Sequence, residues 1–149
     1  MGINNMLDYD KIVLMVEREI VLDKIDMDLE SIRNPVLQSK YLKIFTDCSF
    51  ALDNAESEFK KVRKQRWDYY SGKAPDEVYI NDPLPLVKIL KNEVKDYVDV
   101  DDKVEESRLK MKYYERLQDY LDKILKVIGN RQWDIKNIVD WRKFSSGVV

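Results

Sequence analysis

Histidine is absent from the 149 residues, and with it goes the commonest general base and metal ligand near neutral pH. The one cysteine, Cys48, has no second thiol to pair with and no histidine to activate it, so it reads as a small apolar residue on a helix face rather than a nucleophile. With no apolar h-region after Met1, the expectation is a protein that stays inside the cell. No run approaches the roughly 20 apolar residues of a membrane span. Position 6 after Gly2 is Met6, not the hydroxyl residue of a myristoylation signal, so no membrane partner is expected. Glycine and proline number four each, and no Gly-rich phosphate loop occurs, which argues against nucleotide triphosphate chemistry. The acidic run "DVDDK", Asp99 to Lys103, lacks the alternating ligands, central Gly and terminal Glu of a calcium loop. No cofactor, no metal and no enzymatic activity are expected.

What is present is a helix former's composition: 44% apolar and 36% charged residues with little Gly or Pro to interrupt them. This predicts an all-α fold in one domain, 1–149, of long helices with coiled-coil-like packing, joined by an acidic loop and ended by a C-terminal amphipathic helix. Apolar residues at spacings of three and four predict a first helix from Tyr9 to Ile32. Asn34 before Pro35 reads as an N-cap with proline at the first helical position. A second helix then runs to Tyr70 on the near-heptad stripe Leu37, Tyr41, Ile44, Cys48, Ala51, Ala55, Phe59 and Val62, with Ser71 and Gly72 as its stop. The stretch 1–73 forms the N-terminal helices. The stretch 74–106 is a loop or hinge with a short helix from Leu84 to Val98, and from Asp76 to Glu106 ten acids face four lysines, a net of −6. In 107–149, Met111, Tyr114, Leu117, Leu121, Ile124 and Ile128 form the seam of a helix expected to end at Gly129 and Asn130. A last short helix, Trp133 to Phe144, presents Ile135, Ile138, Val139, Trp141 and Phe144 for self-association.

One stretch departs from the acidic background. "KKVRKQRWDYYSGK", Lys60 to Lys73, carries a local +5 in a chain of net −2. Lys60, Lys61, Arg63, Lys64, Arg66 and Lys73 supply the charge, and Trp67, Tyr69 and Tyr70 stand beside them. Cations for phosphates with aromatic faces for bases are the chemistry of single-strand binding. A solvated helix face with Lys64 and Asp68 paired at i,i+4 accounts for the same residues, and composition leaves the two readings open.

The string "KQRWDYYSGK", Lys64 to Lys73, resembles the central motif of UvsY-type recombination mediators of tailed bacteriophages, and "IKNIVDWRKFSSG", Ile135 to Gly147, is similar to that family's C-terminal segment. The two motifs cover about a quarter of the chain and occur in the family's order. Trp67 stands where the family has Leu. The resemblance implies a non-catalytic protein in the cytoplasm of the infected bacterial host. Such a protein binds single-stranded DNA coated by the phage single-stranded-DNA-binding protein and helps a RecA-like phage recombinase of the UvsX type to load there. It implies DNA contacts at Lys64 and Arg66. It also implies assembly through Ile135 to Phe144 into a hexameric or heptameric ring. A helical scaffold or virion protein without DNA binding is the alternative the helical seams allow.

Overall fold

In the computed structural model, residues 7–147 are described; Gly2 and Met6, which bear on the myristoylation reading, lie outside them. Among the described residues the chain is all-α, with no strand. These residues form five helices: α1 (Tyr9–Glu19), α2 (Met27–Tyr70), α3 (Asp76–Asn81), α4 (Val94–Asp99) and α5 (Asp102–Ser145). They form two compact units: one draws on the chain up to Ser49 and from Arg116 on, the other is Phe50–Glu115. Among the described residues no helix is long and apolar enough to cross a membrane.

In the first unit α1 is capped by the Asp8 carboxylate, which accepts from the Lys11 N–H at 3.2 Å, and it buries Ile12 and Val16. The predicted helix to Ile32 instead breaks after Glu19. Asp23 and Asp26 turn their carboxylates on nearby backbone, accepting from the N–H groups of Ile25 (2.8 Å) and Leu29 (3.0 Å). Such local bonds compete with helix propagation, and Asp26, not Asn34, caps the second helix. Helix α2 therefore runs through Pro35, at a loss of one backbone bond.

A buried polar network offsets that loss. Asn34, fully buried, donates its amide to the Ile128 carbonyl at 3.0 Å and accepts from Arg131 Nη1 at 2.6 Å. Arg131 Nη2 donates to the buried Glu30 at 2.5 Å, and the other oxygen of Glu30 accepts from Arg33 Nη1 at 2.9 Å. Arg33 Nη2 then donates to the Glu19 carbonyl at the end of α1 at 2.6 Å. The same network explains why α5 does not stop at Gly129. Ile128, Arg131 and Ile135 are all buried in this unit, and that packing overrides the roughly 1 kcal/mol glycine penalty. The expected pair of C-terminal helices is one helix. Leu37, Tyr41, Ile44, Cys48, Leu117 and Leu121 complete the core, and burial pushes the Cys48 thiol up to about 11.

The second unit holds the core cluster Val94, Val98 and Val104, against which Phe59, Val62, Trp67, Tyr70 and Ile89 pack. Leu52 takes the buried place expected of Ala51. The predicted helix from Leu84 to Val98 shrinks to α4, because Pro83 and Pro85 deny the preceding stretch its backbone donors. Helix α3 lies inside the stretch expected to be loop.

Replacing Arg131 by Met removes the buried cation from Glu30, which keeps only the part-exposed Arg33, and takes the donor from the buried Asn34. The variant is expected to lose about 3 kcal/mol of stability, read from its urea midpoint; an unchanged midpoint would refute the assignment.

Candidate nucleic-acid interface

The basic, aromatic stretch occupies the last turns of α2 and the turn beyond. That turn is built by backbone bonds: Gly72 N–H donates to the Tyr69 carbonyl at 3.2 Å and Lys73 N–H to the Asp68 carbonyl at 2.8 Å. Gly72 sits at φ +74°, the left-handed conformation that closes a helix in this way. Tyr79 of α3 fastens it further, its hydroxyl donating to the Tyr69 carbonyl at 2.9 Å and accepting from the Ala74 N–H at 3.1 Å.

The structure divides the predicted site residues into two groups. Lys60, Lys61, Lys64 and Lys73 are exposed. Lys64 pairs with Asp68 at 2.6 Å, a solvated i,i+4 contact of a few tenths of a kcal/mol. Arg63 is half-buried, its guanidinium 5.5 Å from the Trp67 ring. Arg66, in contrast, is only 8% exposed. Its Nε donates to Asp101 at 2.7 Å and its Nη1 to Asp82 at 3.3 Å, and its guanidinium lies 4.0 Å from the Tyr69 ring centroid. Tyr69 is buried, donates its hydroxyl to the Pro83 carbonyl at 3.1 Å and stacks on Tyr79. Tyr70 donates to Asp101 at 2.7 Å. Here Arg66, Tyr69 and Tyr70 hold the unit together instead of standing free for phosphate or base.

Asp101 is the residue that sequence reasoning missed. One carboxylate oxygen accepts from Arg66 and Tyr70, while the other accepts from the N–H groups of Lys103 (2.9 Å) and Val104 (3.2 Å), which makes Asp101 the N-cap of α5. The signal was present: an aspartate just before the apolar positions of α5 is a cap pattern. Burial pushes its carboxyl up, but the bonds from Tyr70 and Arg66 more than reverse this and hold it below the ordinary 3.8. Burial pushes the guanidinium of Arg66 down, but Tyr70 and Asp101 outweigh this and shift it upward. Two acids of the supposed acidic hinge, Asp82 and Asp101, are thus committed inside the unit.

Beside this cluster a cavity of about 720 Å³ opens between the end of α2, the turn leading into α3 and the first turns of α5. Val62, Pro75 and Val78 give it apolar walls, and Lys73, Lys103 and Lys110 line it with charge.

Of the residues expected to serve assembly, Ile135 is buried inside the first unit, Ile138 and Val139 are half-buried, and Trp141 and Phe144 are 68% and 78% exposed. Trp133 joins these two on the outer side of α5, roughly opposite Ile135 at 100° per residue.

Among the described residues the chain is thus an all-α protein with exposed lysines clustered at the end of α2. The family described as "Recombination, repair and ssDNA binding protein UvsY" matches residues 15–148. The "Recombination protein uvsY" of Enterobacteria phage T4 is 26% identical over 132 residues, 89% of this chain and 93% of that one. Two crystal structures of the bacteriophage T4 recombination mediator protein UvsY are similar in fold. One has a TM-score of 0.80 at 26% identity, covering 92% of this chain and 96% of the other. The second has a TM-score of 0.80 at 25% identity, covering 91% and 98%. The chain belongs to the UvsY family of recombination mediators, and the two motifs that first suggested it fall inside the matched region.

Asn caps a helix as well as Asp does, so Asp101→Asn keeps the cap and removes the charged oxygen that Arg66 and Tyr70 share. Because the folded carboxyl titrates below 3.8, its contribution is complete above about pH 4 and lost as pH falls through the lower folded value. The variant is expected to be less stable by about 3 kcal/mol at neutral pH, with the gap closing in acid. A gap that stays constant from pH 7 to pH 2 would refute the pairing.

Proposed function

We propose that this chain is a non-catalytic mediator that binds single-stranded DNA coated by a phage single-stranded-DNA-binding protein and helps a RecA-like recombinase to load there. The cell it works in is the infected bacterium, and the compartment the cytoplasm. The observation that carries the reading is the family match over residues 15–148, joined by an exposed lysine group at the position of the shared motif. The strand is met by Lys60, Lys61, Lys64 and Lys73, with Trp67 and its Arg63 partner at the edge. Arg66, Tyr69 and Tyr70 act as positioning residues: through Asp101, Arg66 and Tyr70 fix the end of α2 against the start of α5, and Tyr69 ties it to Pro83, so that the lysines stand on a rigid support.

Four surface cations per chain neutralise few phosphates, and each is expected to release roughly 0.7 counterions from a single strand. A single copy therefore binds weakly and loses the strand as salt rises. Linked copies multiply the effect, raising avidity by about 10² to 10⁴ where geometry allows simultaneous contact. The end of α5 supports such assembly, into a hexameric or heptameric ring. A helix apolar on two opposite sides has one side left to be covered, and Ile135 faces inward while Trp133, Trp141 and Phe144 face out.

Lys61→Ala with Lys64→Ala is expected to weaken single-stranded DNA binding roughly tenfold and to reduce the salt slope by about 1.4, with the helical content unchanged. Unaltered affinity and slope would return the stretch to a solvated face, as in a scaffold protein. Trp141→Ser with Phe144→Ser is expected to reduce the sedimenting species to monomers or small oligomers. A full-size assembly from that variant would exclude the C-terminal helix as the contact.

A further inference from the structure

Lys103 stands in the first turn of α5, where the helix dipole places partial positive charge and disfavours a lysine. It forms no ion pair with another described residue to offset this, and neither does Lys73. Both line the cavity of about 720 Å³ in the second unit. Of the acids on the same wall, Asp68 is committed to Lys64 at 2.6 Å and Glu58 to Lys110 at 2.8 Å, which leaves Glu106 against the two lysines. Val62, Pro75 and Val78 supply apolar surface between them.

A pocket with apolar walls and two uncommitted cations matches the two halves of a nucleotide, a flat base and an anionic phosphate. Its position favours a nucleic-acid strand over a peptide. Along α2, the cavity residues Gln65 and Asp68 share an edge with Lys61 and Lys64 at 100° per residue, so a strand tracked by those lysines arrives at the cavity mouth. We infer that this cavity receives one nucleotide unit of a bound single strand, the base against Val62, Pro75 and Val78 and the phosphate between Lys73 and Lys103. The inference rests on the proposed single-strand binding and adds Lys103, on a helix remote in sequence from the motif, as a contact. A lysine that works against its own helix is then accounted for by its ligand.

The test uses the full chain with a thymidine homopolymer and an abasic strand of equal length. Lys103→Ala should weaken binding of both by about fivefold and lower the salt slope by about 0.7, while its melting temperature is unchanged or raised. Val78→Trp, which fills the cavity without changing charge, should weaken the thymidine strand and spare the abasic one. If Lys103→Ala binds both strands like the parent while the Lys61 and Lys64 double variant is weakened, the cavity is overturned and the DNA reading survives. If the double variant is also unaffected, the DNA reading fails and the cavity inference with it. Intact DNA binding by Lys103→Ala together with lost capture of a RecA-like recombinase would make the cavity a peptide site and overturn the inference.

Discussion

The second unit depends on one carboxylate. Asp101 caps the first turn of α5 and neutralises Arg66 from α2, two tasks that usually fall to separate residues. Because both oxygens are used, moving the cap moves the arginine, and with it the two tyrosines that surround it. A buried ion pair of this kind is poor evidence of extra stability, since desolvation consumes most of the attraction. Its value lies in register. A guanidinium has five donors in a fixed fork, and only one alignment of α2 against the start of α5 brings Asp101 and Asp82 to it together. The exposed lysines one turn away inherit that alignment.

Charge is arranged accordingly. The chain is acidic as a whole, yet part of its acid is committed to Arg66, and the stretch Lys60 to Lys73 keeps a local excess of positive charge with four exposed lysines. A moderately basic patch on an acidic body gives contacts that salt reverses easily, as the proposed transient hold on a single strand requires. Permanent capture of DNA would instead call for a wide basic surface.

Much of this was legible in the residues, and the failures share a cause. The all-α class, the heptad stripe of Leu37, Tyr41, Ile44 and Cys48, and the stop at Gly72 follow from local spacing and turn chemistry, which the sequence displays directly. The break at residues 20–26 was missed because apolar spacing outweighed two aspartates that bond backbone on their own. Helix α2 passing through Pro35 and α5 through Gly129 reverse local rules, and both reversals trace to Asn34, Glu30 and Arg131, whose partners lie some 94 to 101 residues away in sequence. The same limit applies to Arg66: its place in a motif is visible in the sequence, but its burial against Asp101 is a contact across 35 residues. Local propensity shows where helices can form, and long-range polar contacts decide where they continue.

The buried thiol of Cys48 has a practical consequence. Enclosed in the first unit and pushed up to about 11, it stays protonated at neutral pH and out of reach of alkylating reagents. A cysteine introduced at any exposed position would then carry a fluorophore alone, with no background from the parent chain. The rate at which Cys48 itself is labelled becomes a clock for opening of that unit, readable without altering a single residue.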